Sequence, residues 1–183
     1  MIRTYPSPKR VSVREGGFSL IELLIVVAII LIVAAIAIPN LMRAKIAANQ
    51  AAAVENVRTI TSAAAAYSST YGNGYPPTFA TMGGTLPATC DGAMLLDEVL
   101  TTAPNTKSGY GYTYIPQGAQ LAFLPAGCGA AGYNGYLTAA APMVVGRTGQ
   151  SSYCSDEPGV IRVDVTGGLV ATPAACAALT PLQ

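Results

Sequence analysis

Arg14-Glu15-Gly16-Gly17-Phe18-Ser19-Leu20-Ile21-Glu22-Leu23-Leu24 opens a run, Leu23 to Ile38, that carries no charged or polar side chain. Arg3, Lys9, Arg10 and Arg14 stand before Gly17 with only Glu15 to oppose them. Positive charge ahead of an apolar segment keeps that end in the cytoplasm. Phe18 to Ile38 is 21 residues, about 31 Å as an α-helix and close to the thickness of one bilayer hydrocarbon core. An ordinary secretory signal fits poorly, because the small-residue pair Gly16-Gly17 lies before the apolar run and a signal-peptidase site lies behind it. Behind this run, Ile36-Ala37-Ile38-Pro39 passes straight into a further helical pattern.

Two residues stand out within the stretch. Glu22 is a lone carboxylate that lipid or protein will surround, and an ionised group there is costly unless paired. Pro39 removes a backbone donor, so a kink or a locally unwound turn is expected. Past it, Leu41, Ala44, Ala48, Ala51, Val54, Val57, Ile60, Ala64 and Tyr67 recur at steps of three and four, with Arg43, Lys45, Asn49, Glu55 and Arg58 between them. That spacing predicts an amphipathic helix with a narrow, small-residue stripe suited to lying on a sheet. Tyr71-Gly72-Asn73-Gly74-Tyr75-Pro76-Pro77 ends it. The helix would run about 53 residues, roughly 80 Å, too long for one small domain to bury.

The rest of the chain reads as turns and short strands. Residues 72–109 form a loop-rich connection in which Gly92 to Leu100 predicts one short helix capped by Asp91. From residue 110 the period becomes two: Tyr110, Tyr112 and Tyr114 share one face of a strand. Ala119 to Leu124 is its partner or an irregular extension, and Tyr136 to Val145 a further strand broken by Pro142. Ser152–Ser155 and Val160–Val165 flank Asp156-Glu157-Pro158-Gly159 as a hairpin. Leu169 to Gln183 is a tail tethered by Cys176. The fold class is α+β: a long N-terminal transmembrane and amphipathic α-helix packed on a small antiparallel β-sheet. The segments are leader 1–17, membrane helix 18–39, amphipathic half 40–71, connection 72–109 and sheet 110–183.

Composition narrows the function. Charged residues are 10% of the chain and hydrophobic ones 51%, against about 25% charged in ordinary soluble domains. Beyond Gly17 six basic and eight acidic residues remain, so no basic field suggests nucleic acid as a partner. There is no His to act as general base or complete a zinc site, and no nucleophile or phosphate-loop motif, so an enzyme is not expected and no cofactor is implied. Cys90, Cys128, Cys154 and Cys176 all follow the apolar run and read as two disulfides in an oxidising compartment. Four cysteines allow three connectivities. Cys90–Cys128 with Cys154–Cys176 is expected because the others need longer closures. Asp156, Glu157 and Asp164 are weak candidate calcium ligands, because they lack a regular loop spacing; a solvated turn is the stronger reading.

Gly17-Phe18-Ser19-Leu20-Ile21-Glu22-Leu23, followed by the apolar run and Pro39, resembles the N-terminal motif of type IV pilins and type II secretion pseudopilins. The resemblance covers about 25 residues, and the layout beyond them is similar to a pilin. It implies that a membrane prepilin peptidase and methyltransferase cuts between Gly17 and Phe18 and methylates the Phe18 amine. It further implies that subunits pass from the inner membrane into a helical filament of identical copies, through pilus or secretion assembly machinery. The physics agrees on two points. Glycine before the scissile bond enters a protease site without a side-chain clash. Cleavage also creates a cation, the Phe18 amine, with which Glu22 of the same or an adjacent subunit can pair, fixing axial register. The implied functions are a pilus subunit at the cell surface, a periplasmic pseudopilin, or a minor pilin acting in adhesion or DNA uptake.

Overall fold

A computed structural model describes residues 17–182. The basic leader through Gly16 and the terminal Gln183 lie outside the described residues. Helix α1 (Leu20–Tyr71) is followed by α2 (Glu98–Thr101), β1 (Thr106–Lys107), β2 (Tyr110–Gln120), β3 (Tyr133–Pro142), β4 (Ser152–Asp156), β5 (Ile161–Asp164), α3 (Pro173–Ala177) and β6 (Thr180–Pro181). The chain divides into two compact units, up to Asn40 and from Leu41 onward.

In the first unit the helix carries Leu, Ile, Val and Ala on every side, and none of its side chains from Leu20 to Asn40 is buried. Helical backbone continues across Pro39. Next to it, the Asn40 side-chain amide donates to the Ile36 carbonyl at 3.1 Å, one residue beyond the Ala35 carbonyl that proline leaves without its helical donor.

The second unit is an antiparallel meander in the order β1-β2-β3-β4-β5-β6. The β2–β3 hairpin is its centre, with Tyr112 opposite Ala140 and Tyr114 opposite Thr138. Large residues on one strand thus face small ones on the next, which leaves room for a helix above the tyrosine rings. Gly118, at φ +76°, lies where the register shifts between Gln117 and Gln120. Of the expected stretch Ala119 to Leu124, Ala119 and Gln120 are therefore the bulged end of the same strand, and Leu121 to Leu124 belong to no strand.

The α1 residues Ala53, Val57, Ile60, Ala63, Ala64 and Tyr67 are buried and form one cluster with Tyr110, Tyr112, Tyr114, Tyr136, Ala140 and Tyr153 of the sheet, Tyr67 excepted. Tyr67 packs at the far end with Cys90 and Ala93. Val57 and Ile60 each contribute about 1.5–3 kcal/mol by leaving water, and the alanines let the helix approach the rings closely.

The expected stripe is correct only in its second half. Val57, Ile60, Ala64 and Tyr67 are buried, whereas Leu41, Ala44, Ala48 and Ala51 are exposed. Steps of three and four drift around a helix of 3.6 residues per turn, and Ala53 and the half-buried Ile46, not Ala51 and Leu41, continue the sheet-facing side.

The connection also differs from expectation. No helix spans Gly92 to Leu100; α2 is a single turn capped by Asp97, whose carboxylate accepts from Leu100 N–H at 3.0 Å. The reason is tertiary. Ala93, Met94, Leu95 and Leu96 donate their N–H groups to Thr81, Gly83 and Met82 carbonyls around the 3-10 turn Ala80–Met82, and Met94 sits at φ 54°. Asp91, freed from capping, accepts instead from Gly129 N–H at 2.8 Å. Lys107 holds the Asp97 carboxyl below the usual carboxylate range through their hydrogen bond.

The other face of the sheet is covered too. Leu137, Ala139 and Cys154 pack with Val170 and Cys176 of the C-terminal segment, and a disulfide joins Cys154 to Cys176. What was expected as a plain tail thus contains α3, capped by Thr172 through its hydroxyl, and β6.

Candidate functional site

The head of α1 is built from local chemistry. Gly17, Phe18 and Ser19 precede the first helical residue and belong to no element. Phe18 is 80% exposed. Ser19 directly precedes Leu20, and Glu22 three positions on accepts the Ser19 backbone N–H on Oε2 at 3.1 Å. This is the carboxylate arm of a capping box: the N3 acid satisfies one of the donors that a helix start leaves without a partner. The negative charge also lies at the positive end of the helix dipole. The signal for this second role was in the sequence, since Ser-x-x-Glu ahead of an apolar run is the capping-box pattern. A carboxylate has two oxygens and about four acceptor sites, so the Ser19 bond leaves Glu22 capacity for a cation.

Residues 13–38 match the family model of the prokaryotic N-terminal methylation motif. The chain carries the signature of type IV pilins and pseudopilins. No curated protein and no solved structure matches the chain. Long apolar helix, amphipathic continuation and six-stranded antiparallel sheet together make a pilin-like α+β architecture.

The pilin-type sheet domain is stapled at two places. Cys90 and Cys128 are bonded with their Cα atoms 5.1 Å apart, and Cys154 and Cys176 with theirs 6.0 Å apart. Beside the first staple lies a polar hub that sequence reading missed. Asn73 is fully buried; its amide donates to Ala130 O at 3.0 Å and its carbonyl oxygen accepts from Gly132 N–H at 3.1 Å. Tyr67 donates its hydroxyl to Cys90 O at 2.9 Å. A Cβ on Gly132 would run into the Asn73 carbonyl. Helix end, first loop and the loop before β3 are thus held as one unit. Asn73 reads as a turn residue in sequence, because its partners lie 57 and 59 residues away.

The three carboxylates singled out as calcium candidates are not brought together. Both Asp156 oxygens accept from Arg162 Nη1, at 3.2 and 3.4 Å. Asp164 accepts from the Thr166 N–H at 2.9 Å. In the hairpin Asp164 stands opposite Ser152 while Asp156 lies past the Ser155–Ile161 pair, about 13 Å along the strand. Among the described residues no group of three His, Cys, Asp or Glu converges.

Tyr67, Tyr110, Tyr112, Tyr114, Tyr136 and Tyr153 are core. Burial pushes the Tyr136 hydroxyl up to about 12, and burial likewise raises Tyr110, Tyr112, Tyr114 and Tyr153. Asn56 on α1 donates to the Tyr112 hydroxyl at 2.8 Å, and Asn49 to the Thr148 carbonyl at 2.8 Å. These two bonds fix how the helix lies along the sheet.

Proposed function

We propose that this chain is a structural subunit of a type IV pilus, cut between Gly17 and Phe18 by a prepilin peptidase and N-methylated on Phe18. It then passes from the inner membrane into a helical filament of identical copies, its apolar helix at the filament axis. The observation that carries the reading is an accessible, element-free Gly17-Phe18 bond directly ahead of a membrane-length run whose side chains the chain itself leaves uncovered. So much apolar surface is tolerated only if lipid covers it first and other subunits later. Glu22 then meets the Phe18 amine of a neighbouring subunit, which exists only after cleavage. Its bond to the Ser19 N–H gives the carboxylate a partner in the membrane beforehand, at a position where an unpaired one is costly. The work is assembly, not catalysis.

A type II secretion pseudopilin shares the motif and the helix. Two disulfides that hold the loops against the domain favour the surface filament, where the subunit faces the medium. Mass spectrometry of filaments sheared from cells tests the reading. The mature chain should begin at Phe18 and carry one extra methyl group. Gly17→Leu should leave the leader attached and the filaments absent. A mature N-terminus elsewhere overturns the proposal. Protein confined to the envelope, with secretion lost on deletion while surface filaments persist, replaces the pilus by the pseudopilus.

A further inference from the structure

The strand register sorts the loops of the sheet domain into two ends. The β1–β2 turn, the loop after Pro142 and the segment after Asp164 share one end. Asn49, eight residues after Leu41, is bonded to Thr148 in that loop, so this is the end of the domain nearer Leu41. Five apolar side chains are exposed in these segments: Met143 (62%), Val144, Val145, Val165 (72%) and Leu169 (61%). The loop is a fixed shape rather than a loose tip. Val144 N–H donates to the Thr148 hydroxyl at 3.0 Å, Gly146 N–H to Gly149 O at 2.8 Å, and a Cβ on Gly149 would strike the Tyr110 ring. A rigid apolar loop that faces outward is not explained by the domain's own core.

The charges at this end point the same way. Arg147 is exposed within the apolar loop, and Arg43 and Lys45 are exposed on the first turns of this part of α1. Arg43 lies about four helical turns before Val57, on the side of the helix that farther along faces the sheet. Met42 beside it is half exposed. Of the acids near this end, Asp164 is engaged by its own turn through Thr166 and Asp97 by Lys107.

We infer that this end of the sheet domain docks on the headgroup region of an anionic bilayer, with Met143–Val145, Val165 and Leu169 dipping into the interface and Arg43, Lys45 and Arg147 meeting lipid phosphates. The inference rests on the reading of Phe18–Ile38 as a membrane anchor. Apolar side chains flanked by basic ones are the usual composition of an interfacial surface. Docking would hold this end of the domain at the membrane surface before assembly and would have to be broken when a subunit is withdrawn.

The chain has no Trp, so one can be introduced as a reporter. The full chain carrying Val144→Trp is placed in vesicles of phosphatidylcholine, with or without phosphatidylglycerol, containing lipids brominated near the headgroup. Phe123→Trp, exposed at the opposite end of the sheet, is the reference. Bromolipid should quench Val144→Trp several-fold more than Phe123→Trp, and more strongly with phosphatidylglycerol. Adding Arg147→Ala should lower the docked-to-free ratio about fivefold on anionic vesicles. Equal quenching at the two positions, or no response to phosphatidylglycerol, overturns the docking. So does shielding of Val144→Trp from iodide in detergent micelles with the protein self-associated, which would make a second copy the occupant. Flotation separates the two readings. A chain that floats with the vesicles without quenching defeats docking alone, and a chain that does not float defeats the anchor as well.

Discussion

The two parts of α1 share a backbone conformation and little else. From Leu20 to Asn40 no side chain is buried by the chain itself, whereas between Ala53 and Tyr67 one face is sealed against tyrosines. The difference is compositional. The first part is apolar all round, which suits a uniformly apolar surrounding, and the second is apolar on one side, which suits a sheet. Helix propensity decides neither; each part is held by what surrounds it.

If the first part depends on outside partners, its key residue should matter to assembly and not to folding. Glu22→Leu is expected to be processed and inserted normally but to abolish filaments, because an unpaired buried Phe18 amine costs about 3–5 kcal/mol. The check is the yield of sheared filaments against the amount of cleaved subunit in the membrane. Normal yield would remove Glu22 from assembly. In the second part the reverse should hold. Ile60→Ala should cost the sheet domain about 2–5 kcal/mol, seen as a lower melting temperature in the tyrosine near-UV dichroism of the full chain in detergent, while cleavage at Gly17 continues.

Alkali should separate the two parts further. Buried tyrosines hold their protons more tightly when folded, Tyr136 to about 12. Their stabilisation is therefore complete below pH about 10 and is lost as pH rises toward 12, by about 1.4 kcal/mol per pH unit for each such group. The sheet domain should unfold across that window while helical dichroism from Leu20–Asn40 persists. A sheet domain stable beyond pH 12 would contradict the burial of these hydroxyls. The smallest effect is expected on the exposed face of the second part: Ala48→Ser should change domain stability by less than about 0.5 kcal/mol. A larger loss in the monomer would mean that this face is covered after all.

Much of this was legible in the sequence, for identifiable reasons. The processing segment is a linear motif, and the apolar run needs only length and composition. The Tyr110–Tyr114 alternation and the Asp156–Gly159 turn are local signals; Gly159 N–H donates to Asp156 O at 2.8 Å, closing that turn. What escaped reading depends on distant partners. Asp91 looks like a helix cap until the Gly129 N–H arrives from 38 residues away. Leu95 and Leu96 look helical until their N–H groups are taken by Met82 O. The half-stripe Leu41–Ala51 looks continuous with Val54–Tyr67 because a sequence does not show where the sheet stops. β1, β6 and α3 are too short to have a period.

The covering of both sheet faces sets where this protein can vary. α1 occupies one face, and the disulfide-tethered C-terminal segment holds Val170 and Cys176 on the other. A substitution at the middle of β3 or β4 therefore meets packed neighbours whichever way the side chain points. Sequence change without loss of fold is left to the turns, and among them unequally. The loop after Pro142 is pinned by Thr148, Gly149 and Asn49. The stretch from Leu121 to Ala126, with Phe123 and Leu124 exposed, is bonded mainly at its ends. Insertions, altered epitopes and new surface contacts should accumulate there, where an added residue displaces solvent rather than core.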